Sequence, residues 1–153
     1  MRLSEYLHSD FVLSRLVASD VEGVVREVSA KAGAAGVAPE ALVAEKLLER
    51  EKHHSTVMGL GLAIPHATVP GLEDPVIGVA LAPEPIVFGE ADSDPVRVFV
   101  VLLSPPGKER EHVKILARIC RLMRHESFLE QLEAAEDDQG ILQVIETTDA
   151  QHA

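Results

Sequence analysis

The sequence predicts an α/β fold, a single-domain sandwich in which a central mixed β-sheet is flanked by α-helices. Three observations lead there. Helical periodicity early and late in the chain brackets short, nearly continuous apolar stretches in the middle. Those strand-like stretches are interleaved with helices along the chain. The chain has 153 residues, 46% of them hydrophobic, which is enough for one sizeable core.

Taken in order, residues 20–31 read as a helix: Val21, Val24, Val25 and Val28 fall at i, i+3, i+4 and i+7. Ser19 or Asp20 can cap its start, and Gly33-Ala34-Ala35-Gly36 ends it. A second helix opens at Pro39, a residue pre-set for a first helical position, and runs through Ala41, Leu42, Val43 and Leu47 to the region of Lys52. Arg50 follows Val43 and Leu47 on the same face, and an arginine on the inward edge of a helix usually has a purpose or a carboxylate partner. Leu60 to Ile64 is a short apolar stretch ending at Pro65, which sets His66 at a strand end, where α/β folds place reactive groups. Val76–Leu81 and Val96–Leu103 read as strands, the second apolar enough to be covered on both faces. Pro83, Pro85 and Pro95 punctuate the turns. After Pro105-Pro106-Gly107 a helix runs from Glu109 to Arg124, with Val113, Ile115, Leu116, Ile119, Cys120 and Met123 on a wide buried arc. Two shorter helices are expected over Phe128–Ala135 and Asp138–Thr147. The expected domain is 1–148, with 149–153 a frayed C-terminal tail. No internal repeat or linker divides it.

Composition narrows the function classes. Fourteen basic and 25 acidic residues give a formal charge of −11, which repels the phosphates of nucleic acid and of anionic lipid. Any phosphate handled here must meet a local positive site. Aromatics are 3% of the residues and Trp is absent, so stacking platforms are scarce. Cys120 is the single cysteine; it can form no bridge within the chain and reads as a structural thiol in a reducing compartment. No stretch approaches the roughly 20 apolar residues of a membrane span, and Met1–Tyr6 lacks the apolar run of a signal peptide. A soluble cytoplasmic protein is the expectation, with no membrane insertion and no nucleic-acid partner.

Seven histidines make metal ligation the first chemistry to test. No His-Glu-x-x-His and no paired-Cys motif is present, so no metal site is expected. No Gly-x-Ser-x-Gly elbow and no Walker A motif occurs, and Gly59-Leu60-Gly61 does not complete a dinucleotide fingerprint. On periodicity alone, His66 reads as a structural or surface histidine.

The wider constellation changes that reading. Glu51, Met58-Gly59, Leu62-Ala63-Ile64-Pro65-His66 and the small Ala67, at this spacing, closely resemble the active-site signature of the enzyme IIA domains of the bacterial phosphoenolpyruvate:sugar phosphotransferase system. The matching class is the fructose/mannitol type, which includes nitrogen-regulatory IIA proteins. The opening Leu3-Ser4-Glu5-Tyr6-Leu7, the Gly71-Leu72-Glu73-Asp74-Pro75 turn, and Glu111-His112 ahead of an apolar helix extend the resemblance over nearly the whole chain. The resemblance implies that His66 is the phosphorylated histidine and that Arg50 stabilises the phosphohistidine. It implies that Ser55 and Thr56 face the phosphate and that His112 is a second active-site histidine. It further implies no cofactor, an HPr-like or NPr-like phosphocarrier as donor, and a IIB component, transporter or kinase as the next partner. The stand-alone form and the Leu-Ser-Glu-Tyr-Leu opening favour the nitrogen-regulatory type. The sequence departs from many members at Leu60, where they carry Asn or His, and at Ala67, where they carry Gly. Loss of the polar residue at position 60 is expected to remove one polar contact from the site.

Physical chemistry is consistent with these roles. A neutral imidazole, with an ordinary pKa of about 6.5, is a competent nucleophile at neutral pH. Phosphoryl transfer needs in-line positioning and charge stabilisation more than a strong base. Arg50 offers a planar fork of donors, Ser55 and Thr56 offer hydroxyls, and backbone N–H groups near Gly59 or Gly61 offer more. His112 falls in the first turn of its helix, where an anion is favoured. Each residue also has a plainer use. Arg50 can pair with Glu51 or Glu111, Ser55 and Thr56 can cap a turn, and His112 can simply begin a helix. The rival class is a non-catalytic binding module that keeps the fold and has lost transfer; the joint presence of Arg50, His66 and His112 argues against it.

Overall fold

The computed structural model describes residues 1–89 and 94–152. A 3-10 turn at Leu3–Glu5 leads into β1 (Leu7–Leu13), followed by α1 (Val21–Ala34) and α2 (Glu40–His53). Three short strands come next, β2 (Val57–Gly59), β3 (Leu62–Ala63) and β4 (His66–Thr68), then two long ones, β5 (Val76–Ile86) and β6 (Val96–Ser104). Helices α3 (Glu109–Met123), α4 (Glu126–Ala134) and α5 (Asp138–Gln151) complete the described chain. The sheet order is β1-β5-β6-β3-β2, with β4 also on β6. β5 runs antiparallel to β6, whereas β1–β5, β3–β6 and β4–β6 are parallel, so the sheet is mixed as expected.

β6 shows why the chain folds as a sandwich. Its apolar residues alternate between two cores, because successive side chains point to opposite faces. Val98, Val100 and Leu102 pack with Ile115 and Ile119 of α3, Phe128 and Leu132 of α4, and Ile141 of α5. Phe99, Val101 and Leu103 pack with Val24, Val25 and Val28 of α1 and Val43 and Leu47 of α2. A continuous apolar strand is therefore covered on both sides. Asp20 caps α1 by accepting from the Gly23 N–H at 2.7 Å. Pro39 is the N-cap of α2, one position earlier than expected, and its carbonyl accepts from Val43 at 3.1 Å.

Several sequence-based expectations are corrected. β1 was not anticipated, because His8, Ser9 and Asp10 break the apolar alternation. Its pairing with β5 shifts register between Leu7 and Val12, and that irregularity absorbs the polar residues while Phe11 and Val12 stay buried. The approach of Phe11 leaves room only for glycine at Gly78, where a Cβ would lie 2.5 Å from the ring. Pro83 and Pro85 do not end β5; they ride on it, exposed, where its register with β6 shifts between Leu81 and Ile86. On α3, Val113 is 62% exposed, and Arg118 takes a buried place instead, in step with Ile115, Ile119 and Leu122. The expected tail at 149–153 is also corrected: α5 continues to Gln151 and Asp149 is fully buried. Asp149 meets the Arg118 guanidinium at 2.8 Å and accepts from the Ser4 N–H at 3.0 Å. That buried pairing joins α5, α3 and the N-terminal turn. Ala153 lies outside the described residues. Among those described, no helix is long and apolar enough to cross a membrane.

Candidate functional site

β3 and β4 form one course along β6, interrupted at Ile64-Pro65. Leu62 pairs with Val98 and His66 with Leu102. At the break, the Ile64 N–H donates to the Thr56 carbonyl at 3.0 Å, and the Pro65 carbonyl accepts from Leu102 at 3.0 Å. Pro65 itself has no N–H to satisfy, which suits a buried interruption. His66 thus opens a second strand rather than ending the first. Strand alternation buries Ala67 in the core beneath α1 and α2 and leaves the half-buried His66 facing the other way. The methyl of Ala67 adds to that core beside Val43 and Leu47, which accounts physically for a residue larger than glycine there.

The Ile64 carbonyl lies 2.7 Å from His66 Nδ1. A carbonyl can only accept, so Nδ1 carries the proton and Nε2 keeps its lone pair. Burial depresses the His66 pKa; the bond to Ile64 opposes this, and the nearby Arg50 charge depresses it further. Net, the ring is neutral at neutral pH, with Nε2 as its basic nitrogen.

β6 ends at Ser104, and the chain returns through Pro105-Pro106-Gly107 into α3. This brings His112 over the end of the sheet, where its ring centroid lies 5.4 Å from that of His66 at 58°. His112 Nδ1 is 2.7 Å from the hydroxyl of Ser104, a residue 1% exposed. Burial, His66 and Arg50 all lower the His112 pKa, against a smaller upward pull from Glu109. His112 ends the first helical turn, with its own N–H already bonded to Lys108. The helix start is anchored from outside: the Tyr6 hydroxyl donates to Glu111 at 2.7 Å, and Lys108 meets Asp74 at 3.2 Å and Glu111 at 3.7 Å. The bond to Glu111, then burial and the neighbouring carboxylates, push the Tyr6 pKa up to about 12.

Arg50 comes from the last turn of α2, which packs on β4. It donates to the His54 carbonyl at 2.8 Å, and its charge acts on both imidazoles. Among the described residues it forms no ion pair with Glu51 or Glu111. Glu51 instead accepts from both the N–H and the hydroxyl of Thr56, and burial raises its pKa against those bonds and Arg50. Thr56, 3% exposed, therefore points its hydroxyl at Glu51. Ser55 is exposed and its hydroxyl accepts from Val57 at 3.2 Å.

The structure brings His66, His112 and Arg50 together. It does not bring Gly59 and Gly61 to them. These glycines form the β2–β3 turn, level with Val98, where the Gly61 carbonyl accepts from Arg97 and Val98. Four strand residues, about 13 Å, separate that level from Leu102 beside His66. Their expected phosphate-facing role is corrected to a conformational one: Gly59, Leu60 and Gly61 have φ of 86°, 58° and 81°. Leu60 shares that turn, so its departure from Asn or His removes no contact from the site. It places a strained, 78% exposed leucine where Asn is better tolerated. Sequence reasoning missed Ser104; the available signal was a lone polar residue closing an otherwise apolar strand.

Comparisons with known proteins identify the family and the fold. Residues 5–148 match the family described as "Phosphoenolpyruvate-dependent sugar phosphotransferase system, EIIA 2". A nitrogen regulatory protein of Bradyrhizobium diazoefficiens is 36% identical over 146 residues, 95% of each chain. The fructose-specific EIIA component of a phosphotransferase system from Haloferax volcanii is 33% identical over 66% of each chain. The nitrogen regulatory protein IIA-Ntr of Neisseria meningitidis has the same fold, with a TM-score of 0.84 at 24% identity over 94% of this chain and 98% of that one. The E. coli mannitol enzyme IIA, solved also in complex with phosphorylated enzyme IIB, superposes with a TM-score of 0.77 at 20% identity; the complex covers 92% of this chain and 96% of its IIA chain. The chain belongs to the EIIA type 2 family of the phosphoenolpyruvate-dependent sugar phosphotransferase system.

Proposed function

We propose that this chain is a histidine phosphocarrier that takes a phosphoryl group on His66 Nε2 from the phosphohistidine of an HPr-like or NPr-like protein. The observation that carries the reading is the Nδ1–H bond from His66 to the Ile64 carbonyl, which leaves the Nε2 lone pair available beside His112 and Arg50. The lone pair attacks phosphorus; the new N–P bond forms as the donor's P–N bond breaks, and that electron pair returns to the donor imidazole. No proton has to leave His66, because Nδ1–H stays on the Ile64 carbonyl and steadies the positive charge that develops on the ring. Arg50 supplies charge for the phosphoryl oxygens, with His112 beside His66. The transfer is reversible, since both ends are phosphoramidates.

The group then passes to a IIB component, or the phosphorylation state itself regulates a transporter or kinase. The Bradyrhizobium relative, matched over 95% of both chains, is a nitrogen regulatory protein, which supports the regulatory use. Incubation with phosphoenolpyruvate, enzyme I and HPr is expected to add one acid-labile phosphoryl mass. His66→Ala abolishes the gain and His112→Ala slows it; no gain in the parent protein, or an equal gain in His66→Ala, sinks the reading.

A further inference from the structure

His66 and His112 are anchored through the same ring atom by chemically different partners. Each Nδ1 is held against the protein framework, which leaves each Nε2 as the nitrogen free to meet a ligand. The anchor of His66 is a carbonyl, an acceptor only. The anchor of His112 is a hydroxyl, which can donate or accept. We propose that Ser104 is a positioning residue that donates its hydroxyl proton to His112 Nδ1, so that His112 is held as the Nε2–H tautomer, opposite to His66.

Two arguments select this direction. Ser104 is 1% exposed, and among the described residues its hydroxyl has no other hydrogen-bond partner. If His112 Nδ1–H donated to Ser104, the serine O–H would be a buried donor without an acceptor, an arrangement proteins avoid. With Ser104 as donor, only acceptor capacity is left unused, which is the lesser penalty. The second argument is electrostatic. Two neighbouring Nε2 lone pairs would both oppose phosphoryl oxygens. The Nε2–H tautomer turns His112 into a neutral donor aimed at them, while His66 alone keeps the nucleophilic pair. The pairing is rigid because the Ser104 backbone is fixed by its register with Thr68, and its carbonyl accepts from Val69 at 2.8 Å.

The inference rests on the phosphocarrier reading for its consequence, but its structural half is measured separately. Nitrogen-15 NMR of the imidazoles in the unphosphorylated protein at pH 7.5 reads the tautomers directly. His66 is expected protonated at Nδ1, and His112 at Nε2 with Nδ1 bare. A His112 protonated at Nδ1 overturns the proposal. Ser104→Ala is expected to release the His112 tautomer and slow labelling of His66 by phosphorylated HPr about tenfold, the rate equivalent of one hydrogen bond. Ser104→Thr, which keeps the hydroxyl, is expected to restore both. In a His112→Ala background, Ser104→Ala is expected to add no further slowing; an equal slowing in both backgrounds means a merely structural role and refutes the positioning role. If the parent protein takes no label, the phosphocarrier reading falls, and the tautomer spectrum still decides for or against Ser104 as donor.

Discussion

Asp149→Ala should be among the most damaging single changes outside the site, and the structure gives the magnitude. The side chains of Arg118 and Asp149 are 5% and 0% exposed and meet at 2.8 Å. Arg118 also donates to the Asp149 carbonyl at 3.0 Å and the His152 carbonyl at 2.6 Å. Removing the carboxylate leaves a buried guanidinium uncompensated and a Ser4 N–H without its acceptor. Breaking a buried pair from one side costs about 3–5 kcal/mol, a large part of the roughly 5–15 kcal/mol that holds a domain together. For a chain of this length that lowers Tm by about 6–20 °C. The contribution has a pH signature. Burial raises the Asp149 pKa, but the bonds from Ser4, Arg118 and Leu3 and the Arg118 charge outweigh it, so the folded value lies below the ordinary 3.8. Stability from this group is thus full above the unfolded pKa and lost as pH falls through the folded one. Calorimetry at pH 7 and pH 3 checks both halves: the difference in Tm between parent and variant should shrink in acid. The double change Arg118→Met/Asp149→Leu should recover most of the loss. A Tm drop below about 2 °C for Asp149→Ala, roughly half a kcal/mol, would refute the assignment of this pair as a structural tie. Below the lowered Tm, His66 labelling should be intact.

Three other outcomes follow from the geometry. The pKa values of His66 and His112 are depressed chiefly by burial, so the rate of His66 labelling should hold steady as pH falls through 6.5 and decline only below it; a decline centred at or above 6.5 contradicts this. The same shifts make folding stability fall in that interval, because the unfolded chain takes up protons first. Leu60→Gly should raise stability by about 1 kcal/mol, and Gly61→Ala should lower it by about 1–2 kcal/mol, both read by urea unfolding. Neither should change the labelling rate; a slowed Gly61→Ala would return that turn to the site. Thr56→Val deprives the Glu51 carboxylate of its hydroxyl donor and should destabilise by about 1.5–3 kcal/mol. Thermal denaturation measures it, and a neutral result would mean that Glu51 finds another partner.

The sequence by itself determined the layers of the fold. Two-sided hydrophobicity in Val96–Leu103 fixed a covered central strand, and the 3.6-residue periodicity of α1, α2 and α3 marked each as a helix with a buried face. The resemblance of the Glu51–Ala67 stretch and of Glu111-His112 to a known active-site signature, not their spacing, marked Arg50, His66 and His112. The layers are legible because periodic burial repeats along the chain. The tertiary structure alone decided the rest. β1 and the burial of Asp149 depend on partners far away in sequence, Ile77–Ala80 for one and Arg118 and Ser4 for the other. The tautomer of His66 depends on where the Ile64 carbonyl turns at a break in the sheet, and Ser104 reaches His112 only because α3 folds back over the end of β6. Gly59 and Gly61, close to His66 in sequence, sit at the other end of β6 because a strand carries its residues apart by about 3.3 Å each. Sequence distance therefore predicted periodic burial well and polar contacts poorly, since a hydrogen bond requires two atoms to meet within a fraction of an ångström.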